Sequence, residues 1–393
     1  MTGLLWPGDD RCDGLLTDDA LLTAMARVET AWLAALAETS VAPAEVAVDL
    51  TKLLEPGDVR SVASAAESSG TPVLPLLELL RSRLDGPAAD WLHKGLTSQD
   101  TLDTALMLGL REACDRIRHD LATQVAALAA LAAAHRDTPR AARTLTQPAV
   151  PITFGLTVAS WLGGVLDAAP QLTAAARLPI AIGGAAGSLA AAMALSPDED
   201  LVSHAADHLG LPPALPWQTR RGAITRLGDA LTGCTDAWAH IANDVLTASR
   251  PEIGELAEGT GGASSTMPQK RNPTLSVLIR RAALAAPGLS ATLHTAAAEQ
   301  RDERADGAWH VEWETVRTLA RRTVIAGSQT ASLLRDLTVD VAGMAANLSA
   351  ARPGVDAEQT RITGSADGPY RGATDAIIDA VLRRAEVFRA AAR

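Results

Sequence analysis

Aromatic side chains are scarce in this chain of 393 residues, with two Phe, one Tyr and eight Trp, 3% in all. The β-branched and aromatic mixture that favours strands is therefore thin, while Ala and Leu, both strong helix formers, dominate. An all-α fold is expected. Cysteine is too sparse for a disulfide framework: Cys12, Cys114 and Cys234 are odd in number and far apart, with no C-x-x-C metal spacing. That usage fits a reducing cytosol, so a cytoplasmic location is expected. Cations are outnumbered, 35 Lys and Arg against 46 Asp and Glu. The resulting net charge of -11 argues against a nucleic-acid surface. It leaves room for an anionic substrate, because a few local cations outweigh distant acids across screened solvent. The opening residues carry Asp9 and Asp10 where a signal peptide has basic and then apolar residues. The longest apolar stretch, 180–195, is too short to span a bilayer and is broken by Gly183, Gly184 and Gly187. No membrane segment is expected.

What is present is the composition of an ordered globular protein, 47% hydrophobic and 21% charged. From Leu110, the positions Cys114, Ile117, Leu121, Val125, Leu128 and Leu131 recur at intervals of three and four, which places them on one helical stripe. A second stripe runs through Val316, Leu319, Thr323, Ala326, Thr330, Leu333 and Leu337, the alternation of a bundle seam. Long helices packed side by side follow. Breaks are expected at Pro148 and Pro151, at Pro179 with the glycines after it, across 212–216, at Pro251, and at Pro353 with Gly354. Thr17 is positioned as a cap before Leu21, Leu22 and Met25. The chain divides on this reading into an N-terminal helical unit (1–92), a central bundle (93–348) and a short C-terminal region (349–393).

The stretch richest in chemistry is 259–273, Gly-Thr-Gly-Gly-Ala-Ser-Ser-Thr-Met-Pro-Gln-Lys-Arg-Asn-Pro, a glycine-rich loop running into a helix started by Pro273. Such a loop is usually only a turn, and this one has neither Rossmann nor P-loop spacing. A plain turn leaves unexplained why Ser264, Lys270 and Asn272 crowd a helix N-terminus, where together they can stabilise a developing anion.

This loop resembles the signature of the fumarase/aspartase superfamily, Gly-Ser-Ser-x-Met-Pro-x-Lys-x-Asn-Pro, with Ala263 where glycine is usual. The resemblance implies that Ser264 is catalytic and that Lys270 and Asn272 bind a substrate carboxylate. The segment 93–100, His-Lys-Gly-Leu-Thr-Ser-Gln-Asp, reads by itself as a helix cap. It also resembles the superfamily's His-x-Gly-x-Thr-Ser-Gln-Asp, which implies that His93, Thr97 and Ser98 meet substrate. A third segment, from Arg143 to Gly155, resembles Arg-Thr-His-x-Gln, so that Arg143, Thr144 and Gln147 are substrate-binding candidates, but Leu145 replaces the histidine. The superfamily's carboxymuconate cycloisomerases lack that histidine too, because their nucleophile is the substrate's own carboxylate, already ionised at neutral pH. Residues 215–221 resemble the same subgroup's Pro-Trp-His-Thr-x-Arg-Asp, with Gln218 and Gly222 departing, and give Arg221 as a further candidate. Trp309-His310-Val-Glu312-Trp313 resembles its Trp-His-x-Glu-Trp core. His310 is thus a catalytic candidate, and a hydrogen-bonded structural histidine is an equally good reading of it. His204 and His208 share a helical face, but Ala205 excludes the His-Glu-x-x-His zinc signature, and a solvated or packing pair is expected.

The resemblance implies three helical domains with a central long-helix bundle, a homotetramer with active sites shared between subunits, a small polycarboxylate substrate, and no cofactor or metal. It implies a cycloisomerase in which a carboxylate adds across its own double bond while a proton is delivered to the carbon α to a second carboxylate. The alternatives are a β-eliminating C–N lyase acting on an amino-, nitro- or purinyl-substituted succinate, and a non-catalytic relative that keeps the bundle.

Overall fold

The computed structural model describes residues 3–391 apart from 199, 260, 261, 264, 265, 268, 305 and 369. Helices dominate, as the composition requires. In chain order they are α1 (Asp18–Glu38), α2 (Asp58–Ser69), α3 (Val73–Arg83), α4 (Ala88–Trp91), α5 (Ser98–Ala134), α6 (Phe154–Ala175), α7 (Ala190–Leu195), α8 (Leu201–Leu209), α9 (Gly222–Ala248), α10 (Thr274–Ala298), α11 (Gly307–Arg335), α12 (Val341–Thr363) and α13 (Thr374–Ala391). Among the described residues six short strands pair antiparallel in twos: β1 (Pro139–Thr144) with β2 (Gln147–Thr153), β3 (Leu256–Glu258) with β6 (Leu337–Val339), and β4 (Gly262–Ala263) with β5 (Arg271–Asn272).

The two sequence stripes sit where their periods place them. On α5, Leu110, Cys114, Ile117, Leu121, Val125 and Leu128 are buried, and on α11 so are Val316, Leu319, Thr323, Ala326, Thr330 and Leu333. The second seam ends with its helix at Arg335, and Leu337 belongs to β6. Thr17 caps α1, its hydroxyl accepting from the Ala20 N–H at 3.2 Å. Of the expected breaks, one separates α5 from α6 as a hairpin rather than as a plain loop, and one does not interrupt a helix at all. Pro148 and Pro151 lie within β2, where a strand with a single partner leaves every second N–H unneeded. Pro353 and Gly354 lie inside α12, on its exposed face, where water can meet the carbonyl that proline leaves without a donor.

The chain forms two compact units. Unit 1 comprises Met1–Asp115, Thr173–Asp229 and Gly288–Arg321, and unit 2 comprises Arg116–Leu172, Ala230–Pro287 and Arg322–Arg393. Their boundaries fall inside α5, α6, α9, α10 and α11, so each of these helices has a stretch in both. In unit 1, α1 packs on α8. There His204 Nδ1 and His208 Nε2 approach one Glu38 oxygen at 3.5 and 3.0 Å. Among the described residues only α1 is long and apolar enough to cross a membrane, and its inner face from Leu22 to Leu36 is buried in the protein. In unit 2, α12 lies against the β1–β2 hairpin.

Candidate active site

In unit 1, the N-terminus of α5 gathers three of the candidates. Ser98 is the first residue of the helix, and Asp100 in its first turn is buried. Asp100 accepts the N–H of Thr97 at 2.9 Å, of Gly183 at 2.9 Å and of Gly184 at 3.1 Å, which ties the glycine-rich turn to the helix start. Burial pushes the Asp100 carboxyl up to about 6, against the opposing pull of those three donors and of His93. Arg304 donates to the Thr97 hydroxyl at 3.0 Å, so a guanidinium stands beside that hydroxyl at the positive end of the helix. His93 has φ +64, and its Nδ1 lies 2.7 Å from Oε1 of the fully buried Glu29, which also accepts from the Thr101 hydroxyl at 2.7 Å.

One turn further along α5, Asp103 meets Arg221. The guanidinium donates to Asp103 at 2.7 Å and to Glu312 at 2.6 Å, and all three side chains are 1% exposed. Trp309 Nε1 adds a hydrogen bond to Asp103 at 2.9 Å. Burial alone would lower the Arg221 pKa, but its two carboxylates more than offset this and raise it. Burial raises Glu312, and Arg221 only partly counteracts. Arg221 thus has both edges of its fork occupied by protein carboxylates. His310 is exposed, and its Nδ1 and Nε2 face the carbonyls of Asp306 at 3.2 Å and Gly70 at 3.0 Å. Its ring packs against those of Trp309 and Trp313, with centroids 5.3 and 4.7 Å away.

Unit 2 holds the other candidates. Arg143, in β1, donates to the buried Glu255 at 2.8 Å, and Arg140 does the same at 2.8 Å. Asn347 completes the set at 2.8 Å. Burial would raise Glu255, but these hydrogen bonds and the two charges hold it below the usual carboxylate range. Thr144 and Gln147 are exposed and pair across the end of the hairpin. Between them Leu145 and Thr146 form a two-residue turn with φ +49 and +73, and Leu145 is 95% exposed.

The glycine-rich loop is closed at its base by β4 and β5, with Gly262 opposite Asn272. A Cβ on Gly262 would lie 2.0 Å from the Thr274 hydroxyl, so a larger residue here would force that side chain to move. Glu258 accepts the N–H groups of Leu275 and Ser276 at 3.0 and 2.8 Å, which fixes the start of α10 beneath the loop. Lys270 is exposed and Asn272 half-buried. Ser264 lies outside the described residues.

The candidates therefore fall into two groups: His93, Thr97, Ser98, Arg221 and His310 in unit 1, and Arg143, Thr144, Gln147, Lys270 and Asn272 in unit 2. The residues that spacing did not single out are the buried acids that hold them, Glu29, Asp103 and Glu255, together with Arg304. Glu29 had a signal: it sits on the apolar stripe Leu22, Met25, Glu29, Leu33, Leu36 of α1, where a charge needs a partner. Among the described residues no group of three or more His, Cys, Asp or Glu is arranged to hold a metal ion.

Comparison with known proteins bears on which chemistry this geometry serves. A family model described as Lyase matches residues 15–288. The nitrosuccinate lyase of Streptomyces davaonensis is 41% identical over 365 residues, covering 88% of this chain and 77% of that protein. The 3-carboxy-cis,cis-muconate cycloisomerase of Bradyrhizobium diazoefficiens is 37% identical over 353 residues, covering 86% and 76%. The crystal structure of 3-carboxy-cis,cis-muconate lactonizing enzyme from Pseudomonas putida superposes with a TM-score of 0.82 at 29% identity, covering 95% of this chain and 85% of that one.

Proposed function

Because the chain belongs to the lyase family of the fumarase/aspartase superfamily, we propose that it moves a proton on a small polycarboxylate by β-elimination, or its reverse, with a departing or attacking group that is already an anion. The observation that carries this reading is Leu145. A bare hydrocarbon stands, 95% exposed, at the hairpin turn where the superfamily's segment has histidine. An amine or alkoxide leaving group needs a proton from such a side chain. A carboxylate, with a pKa of about 4, leaves or attacks without one.

The substrate we assign is 3-carboxy-cis,cis-muconate. Its carboxylate adds across its own double bond and closes a lactone, while Ser264 delivers a proton to the carbon α to a second carboxylate. In reverse, the Ser264 alkoxide removes that proton. Lys270 and Asn272, at the base of the loop, and Thr97, Ser98 and Arg304, at the start of α5, supply cations and donors for the enolate-like dianion that forms on the way. Arg143 and Arg221, each engaged by protein carboxylates, act by holding the scaffold, and His310 is given no proton-transfer step. The chain acts as a homotetramer whose subunits share active sites, without cofactor or metal.

A second reading has its own support. Nitrosuccinate also loses an anion, nitrite, from the carbon β to the proton removed, and the relative acting on it is the 41% identical enzyme. Purified protein should deplete 3-carboxy-cis,cis-muconate, followed by ultraviolet absorbance, with no metal, nucleotide or reductant added, while light scattering on the same sample reads a tetramer. If that substrate is untouched while nitrosuccinate yields fumarate and nitrite, the second reading replaces the first. Turnover of neither, alongside release of fumarate from an amino-substituted succinate, removes the anionic-leaving-group reading altogether.

A further inference from the structure

We propose that Glu29 is the positioning residue of the site, holding His93 by Nδ1 so that Nε2 is the ring atom presented to an anionic substrate beside Thr97 and Ser98. The inference rests on the function proposed above for its substrate, but not for its geometry. Glu29 is the one charged side chain on the buried face of α1, where Leu22, Met25, Leu33 and Leu36 are its companions. A buried carboxylate is costly unless paired, and an apolar residue would fill such a place at less cost. Here one oxygen, Oε1, takes both neighbours, the Thr101 hydroxyl and His93 Nδ1, each at 2.7 Å. Among the described residues the other, Oε2, has no hydrogen-bond partner. Glu29 is therefore spent on a single direction, and Thr101, in the first turn of α5, fixes it.

The backbone of His93 points the same way. At φ +64 it occupies the left-handed region, which a residue with a Cβ adopts only when its surroundings impose it. The imidazole is 15% exposed, and among the described residues no hydrogen bond to Nε2 is seen. An ionised carboxylate only accepts, so the pair places a proton on Nδ1 and leaves Nε2 to hold or donate the next one. Orientation of a histidine by a carboxylate on its far nitrogen fixes both tautomer and ring angle, and each matters to whatever the near nitrogen contacts. With Leu145 in the hairpin turn, this is the imidazole of the α5 start available to a substrate carboxylate. Its charge, when it carries one, is balanced by Glu29 rather than by the substrate alone.

The test pairs a ring-tautomer measurement with a double-mutant cycle. Histidine 15N shifts, assigned by the loss of one set in His93→Gln, should show His93 protonated at Nδ1 in the full-length protein, and Glu29→Leu should abolish that preference. This needs no substrate, so it stands or falls independently of the proposed reaction. A wild-type His93 protonated only at Nε2 overturns the proposal. On whichever substrate the protein turns over, Glu29→Gln, which keeps the volume and an acceptor but removes the charge, should raise KM about tenfold and change kcat less than about threefold. In the His93→Gln background the same substitution should have no further effect on KM. An undiminished KM effect in that background, or an unchanged KM in the single variant, shows that Glu29 is only structural.

Discussion

Two buried ionic clusters, one in each unit, are built as charge-inverted counterparts. In unit 1 a single cation, Arg221, lies between two carboxylates, Asp103 and Glu312, with all three side chains 1% exposed. In unit 2 a single carboxylate, Glu255, lies between two cations, Arg140 and Arg143, whose side chains remain 11% and 17% exposed. The first holds one negative charge too many and exposes almost none of it to water. The second holds one positive charge too many, and its guanidiniums still touch solvent. The difference teaches that an ion pair's role follows from what happens to the partners when one member is lost, more than from the count of bonds. Both Arg143 and Arg221 were substrate-binding candidates from the sequence, and in both places the carboxylates around them account for their geometry.

The largest effect should come from breaking the centre of each cluster. Arg221→Ala leaves two carboxylates buried without a counterion, a change of the kind that costs about 3–5 kcal/mol. Glu255→Ala releases two guanidiniums that can turn to water, and should cost about 1–3 kcal/mol, the penalty of groups left partly unsatisfied. Thermal melts of the two variants, side by side at neutral pH, check the order. Equal losses, or a larger one at Glu255, would show that rim exposure does not distinguish the clusters.

A smaller effect separates them by pH, and in opposite directions. Burial raises the Glu312 pKa, so the folded state keeps its proton to higher pH than the unfolded state does. Its contribution is therefore full in acid and is lost as pH rises through the folded value. The arginines lower the Glu255 pKa, so its contribution is present above the unfolded value and is lost as pH falls through the depressed one. Melting temperature measured from about pH 4 to 7 should show Glu312→Gln gaining on the wild type as pH rises, and Glu255→Gln falling further behind. Parallel curves would mean that neither carboxylate titrates differently in the folded protein.

What could be read from the sequence differs between the two units for physical reasons. The long helices were legible because their buried faces repeat every three or four residues, and the start of α1 because Thr17 is a capping residue in the right place. The hairpins were not, since β1 and β2 draw their order from α12 packed against them and carry prolines that a two-stranded edge tolerates. The motifs named which residues to look at, down to Thr97, Ser98, Lys270 and Asn272. They contain two of the acids that hold such residues, Asp100 and Glu312, but not Glu29, Asp103 or Glu255. Glu29 is 64 residues from His93, and Glu312 is 91 from Arg221, and spacing along the chain carries no trace of such pairs. A charged residue on an apolar stripe is the one local sign, and it marks Glu29 but not Glu255.

The smallest effect belongs to the hairpin turn at Leu145, beside the Arg143 end of the second cluster. Thr144 and Gln147 pair across a two-residue turn whose residues, Leu145 and Thr146, both have positive φ. That is the type I′ geometry, which Asn-Gly adopts readily and which costs an ordinary residue about 1–2 kcal/mol. Replacing Leu145-Thr146 by Asn-Gly should relieve most of that strain, less the roughly 0.5–1 kcal/mol of chain entropy that glycine adds to the unfolded state. A net gain of about 1 kcal/mol is expected, visible as a small rise in melting temperature. Turnover should not change, because a leaving group that departs as an anion asks nothing of this turn. Leu145→His then sharpens the point. If restoring an imidazole to the turn raises turnover severalfold on 3-carboxy-cis,cis-muconate, an acid was missing after all, and Leu145 ceases to be evidence for an anionic leaving group. If turnover stays flat while the Asn-Gly turn melts higher, the turn is strained for no catalytic return, and the chemistry lies with the loop and the start of α5.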